Sequence, residues 1–422
     1  MPSPVQSPGR PSPVQSPGKP SPVQSPGRLS GVQSPGRSAE AVGATVGVST
    51  KRLTAKEHEL HVAARDGDAT ALCAALDDGV NHEARDWFAK TSLHAATFYG
   101  HADCTKLLLE RSADQHARDS LGRTPLIGAA SHGHFEVVKL LLERGVNTDK
   151  DAKNLDGETA LMWASRNGHV EMVKLLMERE VNRELANNDG ETALMWAANG
   201  GHAEVVKLLL ERGTDMNEKS LCGLTALHFA CRSNRADEAL QLLEKGAEKD
   251  ARNAEGNTAL IWAAASGHAE VVSLLLSREV DRDAQNLGGR CALHFASEHG
   301  HDTIVQQLLQ QAADPNLADQ DGETPLHCAA DYDYPDVVAL LLEAGADRHV
   351  KNRSGMTPLI QASRNNHIKV VKLLDEHAAN GMQGASTTTL RGRPLSPQRA
   401  SVARPKLTPT LTDPRWWRYE AP

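Results

Sequence analysis

Residues 155–180 read LDGETALMWASRNGHVEMVKLLMERE, and the same grammar returns along most of the chain. Gly157 stands two residues before Thr159 and four before Leu161. Equivalent glycines follow at Gly122, Gly157, Gly190, Gly223, Gly256, Gly289, Gly322 and Gly355, the first step being 35 residues and every later one 33. The threonine recurs at each of them except where Cys291 replaces it, and the leucine recurs from Leu126 to Leu359 without a miss. A fixed period of this length marks a repeat architecture.

Local chemistry explains the spacing. Glycine supplies a turn with positive φ. Threonine caps the helix that follows with its hydroxyl. Proline occupies the first helical position in Thr124-Pro125, Thr324-Pro325 and Thr357-Pro358, where its missing N–H is no loss. Leu326, Ala329 and Ala330 then share one side at helical spacing. A Gly-His pair ends that helix at 133–134, 168–169, 201–202, 267–268 and 300–301, and a second helix follows, as in Glu136–Leu142. Helices of about nine residues are marginal alone in water. Their leucine faces are covered only if neighbours stack, so the pattern predicts a solenoid. At about 8–10 Å per packed layer, ten layers give a body about 90 Å long.

These residues resemble the ankyrin family. DGETPLHCAA (Asp321–Ala330) is similar to the family's Thr-Pro-Leu-His-x-Ala signature, and Leu155–Glu180 to a whole repeat. The resemblance runs from about residue 55 to 380. It implies an all-α solenoid: an ankyrin repeat array of about ten helix-turn-helix units with projecting β-hairpin loops, curved so that its concave side binds other proteins. The expected organisation is a tail over 1–52, the repeat domain over 53–380 and a second tail over 381–422, both tails disordered. Val146–Asn154 carries the two-residue insertion, which predicts a longer hairpin there. Ser233-Asn234-Arg235 and Tyr332-Asp333-Tyr334 stand in place of the Gly-His turn. The first repeat, around His61–Ala64, lacks a preceding hairpin, and the last ends in the polar Asp375-Glu376-His377. Both read as end caps, which arrays need for solubility.

Composition narrows the function classes. Apolar residues make up 40% but aromatics only 4%, so the core is built from Leu, Val and Ala. No apolar run is long enough to span a bilayer, which sets membrane insertion aside. The N-terminus has no charged-then-apolar leader; it is rich in Ser and Arg, but recurrent proline forbids the amphipathic helix of a transit peptide. The expected location is the cytoplasm, the nucleus or both. The six cysteines form no CxxC pair and read as small buried hydrophobes in a reducing compartment. The net charge of −8 hides a division: residues 1–52 carry +5, residues 381–422 carry +5, and the body between them carries the remaining −18.

No catalytic constellation stands out. His132-Gly133-His134 and His299-Gly300-His301 invite a metal reading, but the second histidine of each belongs to the repeat turn and no further ligands are evident nearby. His94, His228, His294 and His327 follow the repeat leucine and read as partners of the neighbouring turn. No phosphate loop of the GxxxxGK[ST] kind occurs. Cofactors, metals and small-molecule substrates are therefore not expected, nor is enzyme activity. Trp163, Phe229, Trp196, Trp262 and Phe295 share one repeat position, which fits packing between layers better than a ladder for stacking bases.

Two groups remain as candidates for a partner. Trp87, Phe88, Lys90, Phe98 and Tyr99 lie at a hairpin tip and the end of a first helix, where the repeat tolerates any residue. Large aromatics there read either as interface anchors or as cover for the irregular first repeat. Tyr332, with Tyr334, makes a second patch. Arg123, Glu158, Arg166, Glu191, Arg232 and Arg290 add mixed charge along the groove.

The tails carry their own pattern. PSPVQSPGR, PSPVQSPGK, PSPVQSPGR and LSGVQSPGR follow in tandem, placing Ser-Pro-x-basic units at Ser7, Ser16, Ser25 and Ser34; Ser396 begins a fifth. These units resemble sites of proline-directed kinases. Other readings stand beside that one: weak binding of nucleic acid by basic tails, loose folding back onto the acidic body, or a plain solvated linker. Arg415-Trp416-Trp417-Arg418-Tyr419 reads as a short docking motif or an intramolecular clasp. The chain is thus expected to be a scaffold or adaptor that holds a protein in its concave groove, adjusted by tail phosphorylation. Alternatives are a nuclear regulator whose tails touch nucleic acid, and a regulatory subunit or inhibitor of an enzyme in trans.

Overall fold

The computed structural model describes residues 53–144 and 149–384. Twenty helices pair into ten helix-turn-helix units among them. In chain order they are α1 (Ala55–Asp66), α2 (Ala69–Asp77), α3 (Ser92–Tyr99), α4 (Ala102–Glu110), α5 (Pro125–Ser131), α6 (Phe135–Arg144), α7 (Ala160–Arg166), α8 (Val170–Glu178), α9 (Ala193–Gly200) and α10 (Ala203–Glu211). They continue as α11 (Ala226–Arg232), α12 (Ala236–Glu244), α13 (Ala259–Ala265), α14 (Ala269–Ser277), α15 (Ala292–Glu298), α16 (Asp302–Gln310), α17 (Pro325–Asp331), α18 (Pro335–Glu343), α19 (Pro358–Arg364) and α20 (Ile368–Gly384). The last helix thus runs four residues past the boundary expected at 380. The insertion falls partly on residues 145–148, outside the described residues.

The caps explain where first helices begin. Thr159 is extended, and its hydroxyl accepts the Met162 N–H at 3.3 Å. Where histidine is the third helical residue, its ring shares the work: His228 Nδ1 accepts the Thr225 N–H at 3.2 Å. This is why Cys291 is tolerated at a threonine position. Its N–H donates to His294 Nδ1 at 3.2 Å, so the helix start stays satisfied without a hydroxyl.

Among the described residues, each unit but the first is preceded by a projecting loop. In the loop of α7, Asn154 Oδ1 accepts the N–H groups of Asp156 and Glu158 at 3.0 and 2.8 Å, and Asn154 N–H donates to the Glu158 carbonyl at 3.0 Å. Asp86, Asp119, Asn187, Asn253, Asn286, Asp319 and Asn352 build the same turn, and Ser220 a variant of it. The loops project as the resemblance implies, but they are Asx turns rather than paired strands. One isolated bridge, Ala186–Thr192, is the sole β pairing among the described residues. Side-chain closure satisfies the backbone that a strand ladder would otherwise need.

The loops pair with one another instead. Ser120 N–H donates to Phe88 O at 2.8 Å, Leu155 to Leu121 at 3.0 Å, and Asn188 to Asp156 at 2.9 Å. Leu221, Ala254, Leu287, Gln320 and Arg353 continue the series onto Asp189, Cys222, Glu255, Gly288 and Asp321. This ladder keeps nine loops in register along one edge.

The core lies between layers. Alanines such as Ala164, Ala197, Ala230, Ala263, Ala296 and Ala329 are fully buried and let first helices approach one another more closely than second helices do. The array therefore curves with first helices and loops on the inner side. The buried core forms two clusters, one from Leu60 to Ala113 and one from Leu126 to Leu374.

Candidate functional site

The loop before α3 and the end of that helix converge with α1. Trp87, Phe88, Lys90, Phe98 and Tyr99 line a single pocket of about 670 Å³, whose opposite wall comes from Leu53, Thr54, His58, Val62 and Arg65. Trp87, Phe88 and Tyr99 are 57%, 61% and 51% exposed, so about half of each side chain stays open to solvent while the rest faces the first repeat. Phe98 meets Tyr99 edge-on at 5.2 Å and the His132 ring at 4.1 Å, and Lys90 Nζ sits 4.7 Å from the centre of the Phe98 ring. Five residues picked from the sequence are thus brought together. The wall from α1 had no sequence signal beyond its place in a repeat without a loop.

The other groove residues are placed unequally. Arg123 pairs with Asp119 at 2.8 Å, inside its own loop. Glu158 is drawn inward: it is buried and accepts from Asn154 Nδ2 at 2.7 Å and Trp163 Nε1 at 3.1 Å. Burial raises its pKa. Its carboxylate is thereby engaged by the fold and contributes little exposed charge. Glu191 accepts Trp196 Nε1 at 2.8 Å in the same way. That glutamate stands five residues before tryptophan in both repeats, a spacing that carries the signal once the bond is known.

Arginines run between the aromatic positions. Arg166 lies 5.4 Å from the Trp163 ring and 5.3 Å from the Trp196 ring. Arg232 covers Phe229 at 4.9 Å and donates to Asn199 Oδ1 at 3.3 Å. Its guanidinium is held below its ordinary pKa by burial. Arg290 stacks on Phe295 at 4.4 Å, pairs with Glu298 and points at Cys328 Sγ, 3.8 Å away. The rings beneath them are core: Trp196, Phe229, Trp262 and Phe295 are buried. They pack layers together and offer no face for stacking bases.

Tyr332 is half exposed and donates to Glu298 Oε1 at 3.3 Å, joining Arg290 and Glu298 in one cluster. Tyr334 does not belong to that patch. Its ring packs on Gly300 in the slot where His169, His202 and His301 pack on Gly133, Gly168 and Gly267. Tyrosine there replaces the turn histidine as a packing residue.

The histidines hold repeats together. His134, His202, His268 and His367 reach back to carbonyls of the preceding repeat, at Phe98, Arg166, Arg232 and Asp331, over 2.7–2.9 Å. His94, His228, His294 and His327 reach forward to Arg123, Asn257, Glu323 and Met356 over 3.1–3.2 Å. His132 stacks on His134 at 6.0 Å, and its Nδ1 lies 2.8 Å from Ser131 Oγ. No group of three or more His, Cys, Asp or Glu is arranged to hold a metal among the described residues. No helix among them is long and apolar enough to cross a membrane. Ser7, Ser16, Ser25, Ser34, Ser396 and the Arg415–Tyr419 cluster lie outside the described residues.

A comparison with curated proteins returned no match. Among solved structures, the human ASB11 ankyrin repeat domain is similar at 29% identity, covering 52% of this chain and 98% of that one, with a TM-score of 0.48. The family model for ankyrin repeats matches over residues 60–154, 146–220, 212–286, 276–352 and 293–384, which together take in most of the sequence. With the threonine caps, the paired helices and the register of the loops, that match settles the family: the chain belongs to the ankyrin repeats.

Proposed function

We propose that this chain holds a partner protein on the inner face of its array, with Trp87, Phe88, Phe98 and Tyr99 as the anchor. Ankyrin repeats generally mediate protein–protein interaction, and membership of the family supplies the coarse role. One observation carries the finer one: exposed aromatics from two elements close on a single pocket at the N-terminal end of the inner face. Aromatic anchors seated in a pocket dominate binding energy at interfaces, while the surrounding contacts mainly exclude water. Lys90, Arg166, Arg232, Arg290 and Tyr332 supply polar contacts further along.

The role is binding rather than catalysis. His94, His228, His294, His327, Glu158, Glu191 and Glu298 are occupied by bonds within and between repeats. Six free thiols and the Ala- and Leu-built core support a reducing location, cytoplasm or nucleus. A proline-directed kinase would add about −1.5 to −2 charge per site; acting on Ser7, Ser16, Ser25 and Ser34 together it would reverse the sign of the +5 N-terminal tail, while Ser396 alone would only reduce the +5 of the other.

Affinity capture with the full chain tests the reading. Trp87→Ala with Tyr99→Ala is expected to lose the partners that the natural chain retains, with an unchanged circular dichroism spectrum. Retention of the same partners by the folded double variant discards the anchor.

A further inference from the structure

The loop ladder has an open end at the pocket. Eight loops donate the N–H after their Asx or Ser residue to the loop before. Trp87 holds the same place in the first described loop; among the described residues no loop precedes it and its N–H has no partner. Trp87 itself lines the pocket, together with Phe88 of the same loop. An extended chain laid there would meet one backbone donor and several aromatic faces.

The chain's own N-terminal segment matches that surface. It enters the described structure at Leu53, and Leu53, Thr54 and Ala55 themselves line the pocket. Upstream stand four tandem nonapeptides. Pro2, Val5 and Pro8 recur as Pro11, Val14 and Pro17, as Pro20, Val23 and Pro26, and as Leu29, Val32 and Pro35. Spacing of three is the period of a polyproline II helix, so each copy would present one apolar edge. Pro4, Pro13 and Pro22, off that edge, give way to Gly31 in the fourth copy, while the edge stays apolar. Polyproline segments dock on aromatic-lined grooves because their backbone is preorganised and its carbonyls are free.

Tethering favours the same occupant. Pro26 lies 27 residues before Leu53, ample to fold back at about 3.3 Å per residue. A short flexible tether gives an effective concentration on the order of millimolar, so a contact too weak to persist between molecules is populated within one. Four copies multiply the chances.

We infer that the apolar edge of the residue 2–37 repeats docks in the Trp87–Tyr99 pocket of the same chain, so that a partner must displace it. The inference rests on the reading of this pocket as a binding surface. It identifies the chemistry the pocket accepts: an extended proline-rich segment with apolar side chains every third residue.

Full-length chain carrying 5-fluorotryptophan reads the docking directly, with the residue 87 resonance assigned by Trp87→Phe. The comparison is Val5→Ser, Val14→Ser, Val23→Ser and Val32→Ser combined, which leaves charge and body untouched. The Trp87 resonance is expected to shift between the two chains and to show a larger H2O/D2O isotope shift in the variant. Identical resonances overturn the inference. A shift that vanishes on dilution assigns the occupant to a second copy and also overturns it. Failure here with partner capture still dependent on Trp87 leaves the functional reading standing; loss of capture dependence with a clear shift does the reverse.

Discussion

His228 Nε2 hydrogen-bonds the carbonyl of Asn257, 3.2 Å away and one repeat further on. The other ring nitrogen accepts the Thr225 N–H, so the neutral tautomer with its proton on Nε2 serves two repeats at once. Burial lowers the pKa of His228, and of His94 and His294, from the ordinary 6.5 to about 4. Between those values the unfolded chain binds protons that the native one refuses. Stability is therefore full above pH 6.5 and falls as pH drops toward 4, by about 1.4 kcal/mol per pH unit for each such histidine in mid-window. Urea unfolding at pH 7, 6 and 5 should show the decline, and His228→Gln with His294→Gln should flatten it. An equal slope in the variant would remove these rings from the account.

Turn glycines should divide into two classes. Gly168 has φ +71, and a Cβ there would lie 2.7 Å from His202 Cε1, displacing the ring that bonds Arg166 O. Gly345 has φ +90 with nothing within 4 Å of a Cβ. Gly345→Ala should cost only the left-handed strain, about 1–2 kcal/mol. Gly168→Ala should cost roughly 1–2 kcal/mol more through the lost inter-repeat bond and seat. Denaturation midpoints of the two variants supply the check.

The Trp196–Glu191 bond gives a sharper asymmetry. Trp196 is buried, and its indole N–H has Glu191 Oε2 at 2.8 Å. Glu191→Ala strands that donor and should destabilise by about 1–3 kcal/mol. Trp196→Phe removes donor and ring edge together, leaves Glu191 to Asn187 Nδ2 at 3.2 Å, and should cost less than Glu191→Ala with Trp196 intact. The opposite order would show that packing of the indole, and not its bond, dominates.

Unfolding should proceed in two units. The fully buried core around Leu60, Leu93 and Leu108 meets the one that begins at Leu126 only through half-buried residues such as Leu109. In a repeat array each layer depends on its neighbours, so a break in the core is a place for stability to part. Native-state hydrogen exchange should show residues 55–113 opening at a lower free energy than α9 to α14. A single shared opening energy would join the two clusters.

Most of the fold was legible because each repeat states the same local instructions: Thr159 and its equivalents start a helix, the Gly-His turn ends it, and leucine faces demand neighbours. The Asx closure at Asn154 and its equivalents was not read, since Asn or Asp three residues before glycine looks like an ordinary turn. The loop ladder was invisible for a different reason: backbone groups carry no residue code. Of the candidate pocket, Trp87, Phe88, Lys90, Phe98 and Tyr99 were legible as residues at variable repeat positions, open between anchor and cover, and their convergence on one pocket comes from the fold. Glu158 was misplaced because its tryptophan partner lies on the following helix, and Tyr334 because aromatic character alone does not separate a packing slot from a patch. The wall from α1 emerges only from stacking.

The account stands most directly on where a bound partner protects the chain. Hydrogen exchange of the purified complex against the free chain should slow at 87–99 and along the loops and first helices α5, α7 and α9, leaving α6, α8 and α10 unchanged. Protection on those outer helices, with residues 87–99 exchanging as in the free chain, would contradict it.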